Sequence, residues 1–142
     1  MQIKQIYTPD ENFSVKLPYF NTVVQAGFPS PADDFVDTKL DLNEYLIKHP
    51  AATFFVRVSG DSMTGAGIYD SDILIVDRSL EAHPGMIIIA ALDGELTVKR
   101  LKKKKETIIL VPENDQYEPI MVAEESDFSV WGVVTAVIHK PC

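Results

Sequence analysis

Apolar and other residues alternate from Phe13 to Tyr19, with Phe13, Val15, Leu17 and Tyr19 on one side, which is the period of an extended segment with one buried face. Pro18 lacks the N–H that a central strand needs, so the segment is expected as an edge strand or a docked arm. Gly27 to Asp37 follows with Pro29, Pro31 and the acidic pair Asp33-Asp34, a composition that suits neither a helix nor a central strand and marks a linker. Asp41 and Glu44 form a capping box, Leu42 and Leu46 share a helix face, and His49-Pro50 closes the segment, so a short helix is expected over Leu42 to Lys48. After it the pattern is β almost without interruption: Phe54 to Ser59, Asp72 to Asp77, Met86 to Leu92, Glu95 to Leu101, Thr107 to Val111 and Ser129 to Ile138. Short strands separated by turns predict a mainly β core.

Asp93-Gly94 stands between two strand-like runs and is a dipeptide favoured by the tight type I′ hairpin turn. With those two residues as the loop, Leu92 faces Glu95, and counting back along the ladder puts Lys99 opposite Ile88. Lys99 then shares a sheet face with Met86, Ile88, Ala90, Thr97 and Leu101, where little can solvate a charge, and burial lowers the pKa of an amine. A free lysine is neutral in only about one molecule in 2,500 at pH 7, and each unit of depression raises that fraction nearly tenfold, so a buried Lys99 can serve as a general base. The alternative is an amphipathic side chain that snorkels out of a half-buried strand.

Ser62, in Gly60-Asp61-Ser62-Met63, sits where the strand ending at Ser59 breaks into a turn, a place expected to present its side chain outward. It reads either as an activated nucleophile or as a turn stabilised by Asp and Ser side chains. Thr64 and Gly65 exclude Gly-x-Ser-x-Gly and Ser-x-x-Lys. The histidines offer little as bases: His49 reads as a helix C-cap, His83-Pro84-Gly85 as a turn, and His139 as part of a frayed terminus. Asp70-Ser71-Asp72 lacks the rest of a calcium loop and one cysteine gives no zinc spacing, so no metal is expected.

Length and charge narrow the classes. The 142 residues support one domain plus an arm, with ordinary globular proportions of 46% hydrophobic and 24% charged residues. A net charge of −8 disfavours autonomous DNA binding. Lys99 to Lys105 concentrates basic residues, but no aromatic interleaves them, and Lys102 to Lys105 is expected as a solvated hairpin loop. The longest apolar run, Met86 to Leu92, is far short of a membrane span, and no apolar stretch precedes Val24-Gln25-Ala26 to make it an export site. With Cys142 alone no intrachain disulfide forms, and a cytoplasmic location is expected.

Four segments in order, Ala26-Gly27-Phe28-Pro29-Ser30-Pro31, Gly60-Asp61-Ser62-Met63, Asp70 to Asp77, and Asp93 to Leu101, together resemble the LexA/UmuD family of self-cleaving serine-lysine peptidases over about Thr22 to Ile138. The resemblance implies the β-clip fold of the LexA C-terminal peptidase domain, with a flexible N-terminal arm and one short helix. It implies Ser62 as nucleophile, Lys99 as its general base and Ala26-Gly27 as the scissile bond, dividing the chain into an arm (1–26) and a peptidase domain (27–142) without a cofactor. Only 26 residues precede that bond, fewer than a helix-turn-helix domain needs, so the likeness is closer to the UmuD branch, although Ala-Gly is the cleavage pair of LexA-type repressors where UmuD-like chains often have Cys-Gly. The role implied is in the DNA-damage response: RecA filaments on single-stranded DNA stimulate self-cleavage, and the trimmed homodimer joins UmuC in an error-prone translesion polymerase. A polymerase-binding module without enzymatic activity and a transcriptional repressor are the competing classes.

Overall fold

The computed structural model describes residues 1–9, 16–19 and 38–141. Residues 1–9 and 49–142 group into one compact unit and residues 10–48 into a second. In the second, β2 (Lys16–Tyr19) pairs antiparallel with β3 (Thr38–Asp41), Leu17 opposite Leu40 and Pro18 opposite Lys39. The helix α1 (Leu42–Leu46) follows directly, and the Asp41 carboxylate accepts from Asn43 N at 3.0 Å, as an N-cap should. The helix is shorter than the expected span to Lys48, because Ile47 is already extended. Phe13 to Val15, the Gly27 to Asp37 linker and the Ala26-Gly27 bond lie outside the described residues.

The larger unit is built from β1 (Gln2–Tyr7), β4 (Thr53–Ser59), β5 (Ile73–Asp77), β6 (Ile87–Leu92), β7 (Glu95–Lys104), β8 (Thr107–Val111), β9 (Ile120–Met121) and β10 (Phe128–Ile138). The sheet order is β1-β4-β5-β10-β6-β7-β8-β9, and a further pairing of Gln2 with Thr97 brings β1 back against β7. Strands β1, β4, β5, β10, β6 and β7 therefore close into a ring. β10 makes this possible by pairing through Phe128–Val133 with β6 and through Val133–Ile138 with β5. Successive β6 residues enter two apolar clusters, Ile89 with Val56, Val58, Leu74, Val76 and Val98, and Ile88 and Ala90 with Leu101, Leu110 and Val133. A strand buried on both faces explains the unbroken apolar run in the sequence.

The β6–β7 hairpin has the anticipated register: Leu92 faces Glu95, Ile88 faces Lys99, and Asp93 and Gly94 both take positive φ, 50° and 84°. Two expectations are corrected. Lys102 to Lys105 is not a loop, since β7 continues to Lys104 and pairs Lys102, Lys103 and Lys104 with Ile109, Ile108 and Thr107, leaving the turn at Lys105 and Glu106. His139 is not frayed, because its Nδ1 lies 2.6 Å from Asp72 and its ring packs against Tyr69. His49 is likewise committed, at 2.6 Å from Asp77.

Candidate active site

Ser62 follows β4 on a turn that runs into a short 3-10 segment, Thr64–Ala66. Main-chain bonds pin this turn from outside: Glu113 N donates to Ser62 O at 2.8 Å, and Gly65 N donates to Glu113 O at 2.7 Å. Asn114 Nδ2 donates to Asp61 O at 2.8 Å, and the Tyr117 hydroxyl donates to the Asp61 carboxylate. Gly65 is required by space rather than by φ. A Cβ there would lie 2.6 Å from Glu113 O, below any real contact. Gly65→Ala should therefore push the turn off Glu113 and cost about 1–3 kcal/mol of stability, read as a lower urea midpoint at unchanged slope.

Contrary to the outward presentation expected of a turn, Ser62 is only 2% exposed. The cover comes from the start of the chain. The Met1 amine donates to Ser62 Oγ at 2.7 Å, while Met1 O accepts from Thr97 Oγ1 at 3.1 Å and Val98 N at 3.4 Å. The bonds to Thr97 and Val98 tie the start of β1 to β7, while the rest of β1 pairs with β4, Ile3 facing Val58 and Ile6 facing Val56. Lys99 is 7% exposed, and its Nζ donates to Thr97 Oγ1 and Val98 O, both at 3.2 Å. Burial holds its pKa below the usual lysine value, opposed by a hydrogen bond with the Met1 amine. The same amine is lowered from 8.0 to about 5 by burial and then by the adjacent Lys99. Ser62 and Lys99, 37 residues apart in sequence, are thus both linked to Met1 in a water-poor site, Ser62 through its amine and Lys99 through the Thr97 hydroxyl bonded to its carbonyl. Such a pair can pass a proton from a hydroxyl to a neutral amine once that amine of Met1 gives way.

The Met1 shift has a consequence for β1. A group whose pKa falls on folding contributes stability that is complete above its unfolded value, here 8.0, and is lost as pH falls through the folded value of about 5. Acidification across that window should release β1 ahead of the other strands. Hydrogen exchange, corrected for its intrinsic pH dependence, should show Ile3 to Ile6 losing protection between pH 8 and pH 5 while β6 keeps it.

Of the residues singled out from sequence, the structure unites Ser62 and Lys99. Thr97 lies beside Lys99 as the register predicts, whereas Met1 and Glu113, which complete the site, were not foreseen, since each is brought in by contact between distant segments. Among the described residues no group of three or more His, Cys, Asp or Glu side chains could hold a metal ion, and no helix is long and apolar enough to cross a membrane.

A buried serine and lysine on a mainly β scaffold define a class that the comparisons identify. The Peptidase S24-like model matches residues 18–135, and the chain belongs to that family, as a self-cleaving serine peptidase with a fold resembling the LexA C-terminal domain. It is 50% identical to Protein SamA of Salmonella typhimurium over 87% of this chain and 85% of that protein. It is 46% identical to Protein ImpA of Escherichia coli over 93% of this chain and 90% of that protein. The LexA repressor of Stenotrophomonas maltophilia is 39% identical over 88% of this chain but only 58% of its own length. Within the LexA/UmuD family the chain is of the UmuD type.

Proposed function

We propose that Ser62 and Lys99 form a nucleophile–base pair that cuts the chain's own Ala26-Gly27 bond, releasing residues 1–26 from the 27–142 peptidase domain. The observation that carries this reading is the burial of both side chains around Met1, whose amine donates to Ser62 Oγ and whose carbonyl accepts from Thr97 Oγ1, the hydroxyl that Lys99 Nζ itself donates to. Neutral Lys99 takes the Ser62 proton as Oγ attacks the carbonyl carbon of Ala26. The C–N bond to Gly27 then breaks, the proton passes to the departing nitrogen, and water releases the acyl group from Ser62. Because Ser62 Oγ is already engaged by Met1, cleavage requires that amine to be displaced. This accords with a reaction that waits for a stimulus, here a RecA filament on single-stranded DNA.

Cleavage in turn acts on a cytoplasmic homodimer that serves as accessory subunit of a UmuC-like error-prone translesion polymerase. Net charge is not the switch: without residues 1–26 eleven basic and nineteen acidic residues remain, and the charge stays at −8. Exposure is. β1 pairs with β4 from Phe55 to Ser59, so its departure frees that main-chain edge for another strand or partner. A pull-down of the polymerase with the 27–142 fragment and with full-length Ser62→Ala tests this. The fragment should bind more tightly, and equal binding would leave cleavage without the proposed role.

A further inference from the structure

Lys99 and Ser62 lie on separate elements, and their mutual placement depends on what joins β7 to the Ser62 turn. The regular β7–β8 ladder ends at the pair Arg100 and Val111. Pro112, which follows, has no N–H to extend it. Past that point Glu113 holds the serine turn through its main chain, giving N–H to Ser62 O and accepting from Gly65 N. Its side chain turns back to β7, where Arg100 Nε donates to the Glu113 carboxylate. Arg100 Nη1 also donates to Gly85 O at 2.6 Å, and Gly85 N donates to Leu101 O at 2.7 Å, so the guanidinium is fixed at both ends. Arg100 is the residue after Lys99, on the opposite face of the same strand.

We infer that Arg100 and Glu113 are positioning residues for the self-cleavage reaction, forming a brace that fixes the Lys99 strand relative to the Ser62 turn. The inference rests on the Ser62–Lys99 reading proposed above. The chain of contacts is continuous: Ser62 O to Glu113 N, the Glu113 carboxylate to Arg100, and Arg100 covalently to Lys99. Both side chains of the pair are about three-quarters buried, 26% and 29% exposed, where a charged hydrogen bond is poorly screened. Only a planar fork can serve Glu113 and Gly85 together, so lysine at position 100 satisfies one or the other.

The test is the first-order rate of self-cleavage at alkaline pH, on the plateau where Lys99 is neutral, in full-length variants whose melting temperatures are measured on the same samples. Ser62→Ala and Lys99→Ala serve as controls for the dyad itself. Arg100→Gln and Glu113→Gln should each slow the plateau rate about 10- to 100-fold while the protein stays folded at the assay temperature, the scale expected when reacting groups are misplaced by about an ångström. Arg100→Lys should fall between wild type and Arg100→Gln, and the exchanged pair Arg100→Glu with Glu113→Arg should recover the part of the loss owed to the ion pair but not the part owed to Gly85 O, to which a carboxylate at position 100 cannot donate. Wild-type rates in the single variants, with inert controls, would overturn the brace and leave the dyad standing. So would losses that follow the unfolded fraction and are not recovered by the exchanged pair. Cleavage persisting in the Ser62→Ala or Lys99→Ala control would overturn the dyad, and the brace with it.

Discussion

Lys99→Arg should abolish self-cleavage across the neutral and alkaline range, and Ser62→Ala should do the same. Arginine resembles protonated lysine, but its guanidinium does not deprotonate at any accessible pH, so it cannot accept the Ser62 proton. Loss of a positioned base together with its nucleophile's activation is worth about 10³-fold or more. Above pH 8, where the hold of the Met1 amine no longer changes with pH, the wild-type rate should climb with pH and level off. Burial places the Lys99 pKa below 10.5, so the climb comes at lower pH than a solvated lysine would give. A gel time course over a pH series checks both points. An arginine variant that cleaves at a tenth of the wild-type rate would remove Lys99 from the role of base.

The 27–142 fragment, produced without residues 1–26, should fold but melt well below the full chain. β1 is a strand of the ring, with Met1 in the larger apolar cluster and Ile3 packed against it. Losing those two contacts costs roughly 3 kcal/mol, or on the order of 10 °C in melting temperature. Freshly cleaved protein, in which the 1–26 peptide still sits on β4, should melt between the two. Adding a synthetic 1–26 peptide to the fragment should raise its melting temperature in a concentration-dependent way. If the fragment melts where the full chain does, β1 contributes nothing to the ring and its removal opens no surface.

How far the sequence carried this picture depended on the range of the interaction. Lys99 was placed opposite Ile88 by counting from a two-residue turn, because Asp93-Gly94 fixes the register of its own hairpin. Asp41 was placed at a helix start because a cap is settled within a few residues. β1 was hidden for a physical reason. A bulge between Ile3 and Gln5 lets Ile3 face Val58 and Ile6 face Val56, so two residues three apart meet one face of β4 and the period-two signal is erased. The strand through Lys104 was masked by its lysines, which read as a solvated loop until pairing with Thr107 to Ile109 holds the backbone extended. The burial of Ser62 was invisible for the same kind of reason, since its covers, Met1 and Glu113, lie 61 and 51 residues away in the chain.

Whether this chain cuts itself with Ser62 at Ala26-Gly27 is decided by intact-mass spectrometry of purified full-length protein held at alkaline pH, alongside Ser62→Ala. Wild type should give one pair of products, residues 1–26 and 27–142, in equal amounts and with first-order growth, and Ser62→Ala should stay at 142 residues. Cleavage at another bond, or the same pair of products from Ser62→Ala, would contradict self-cleavage by Ser62 at that bond.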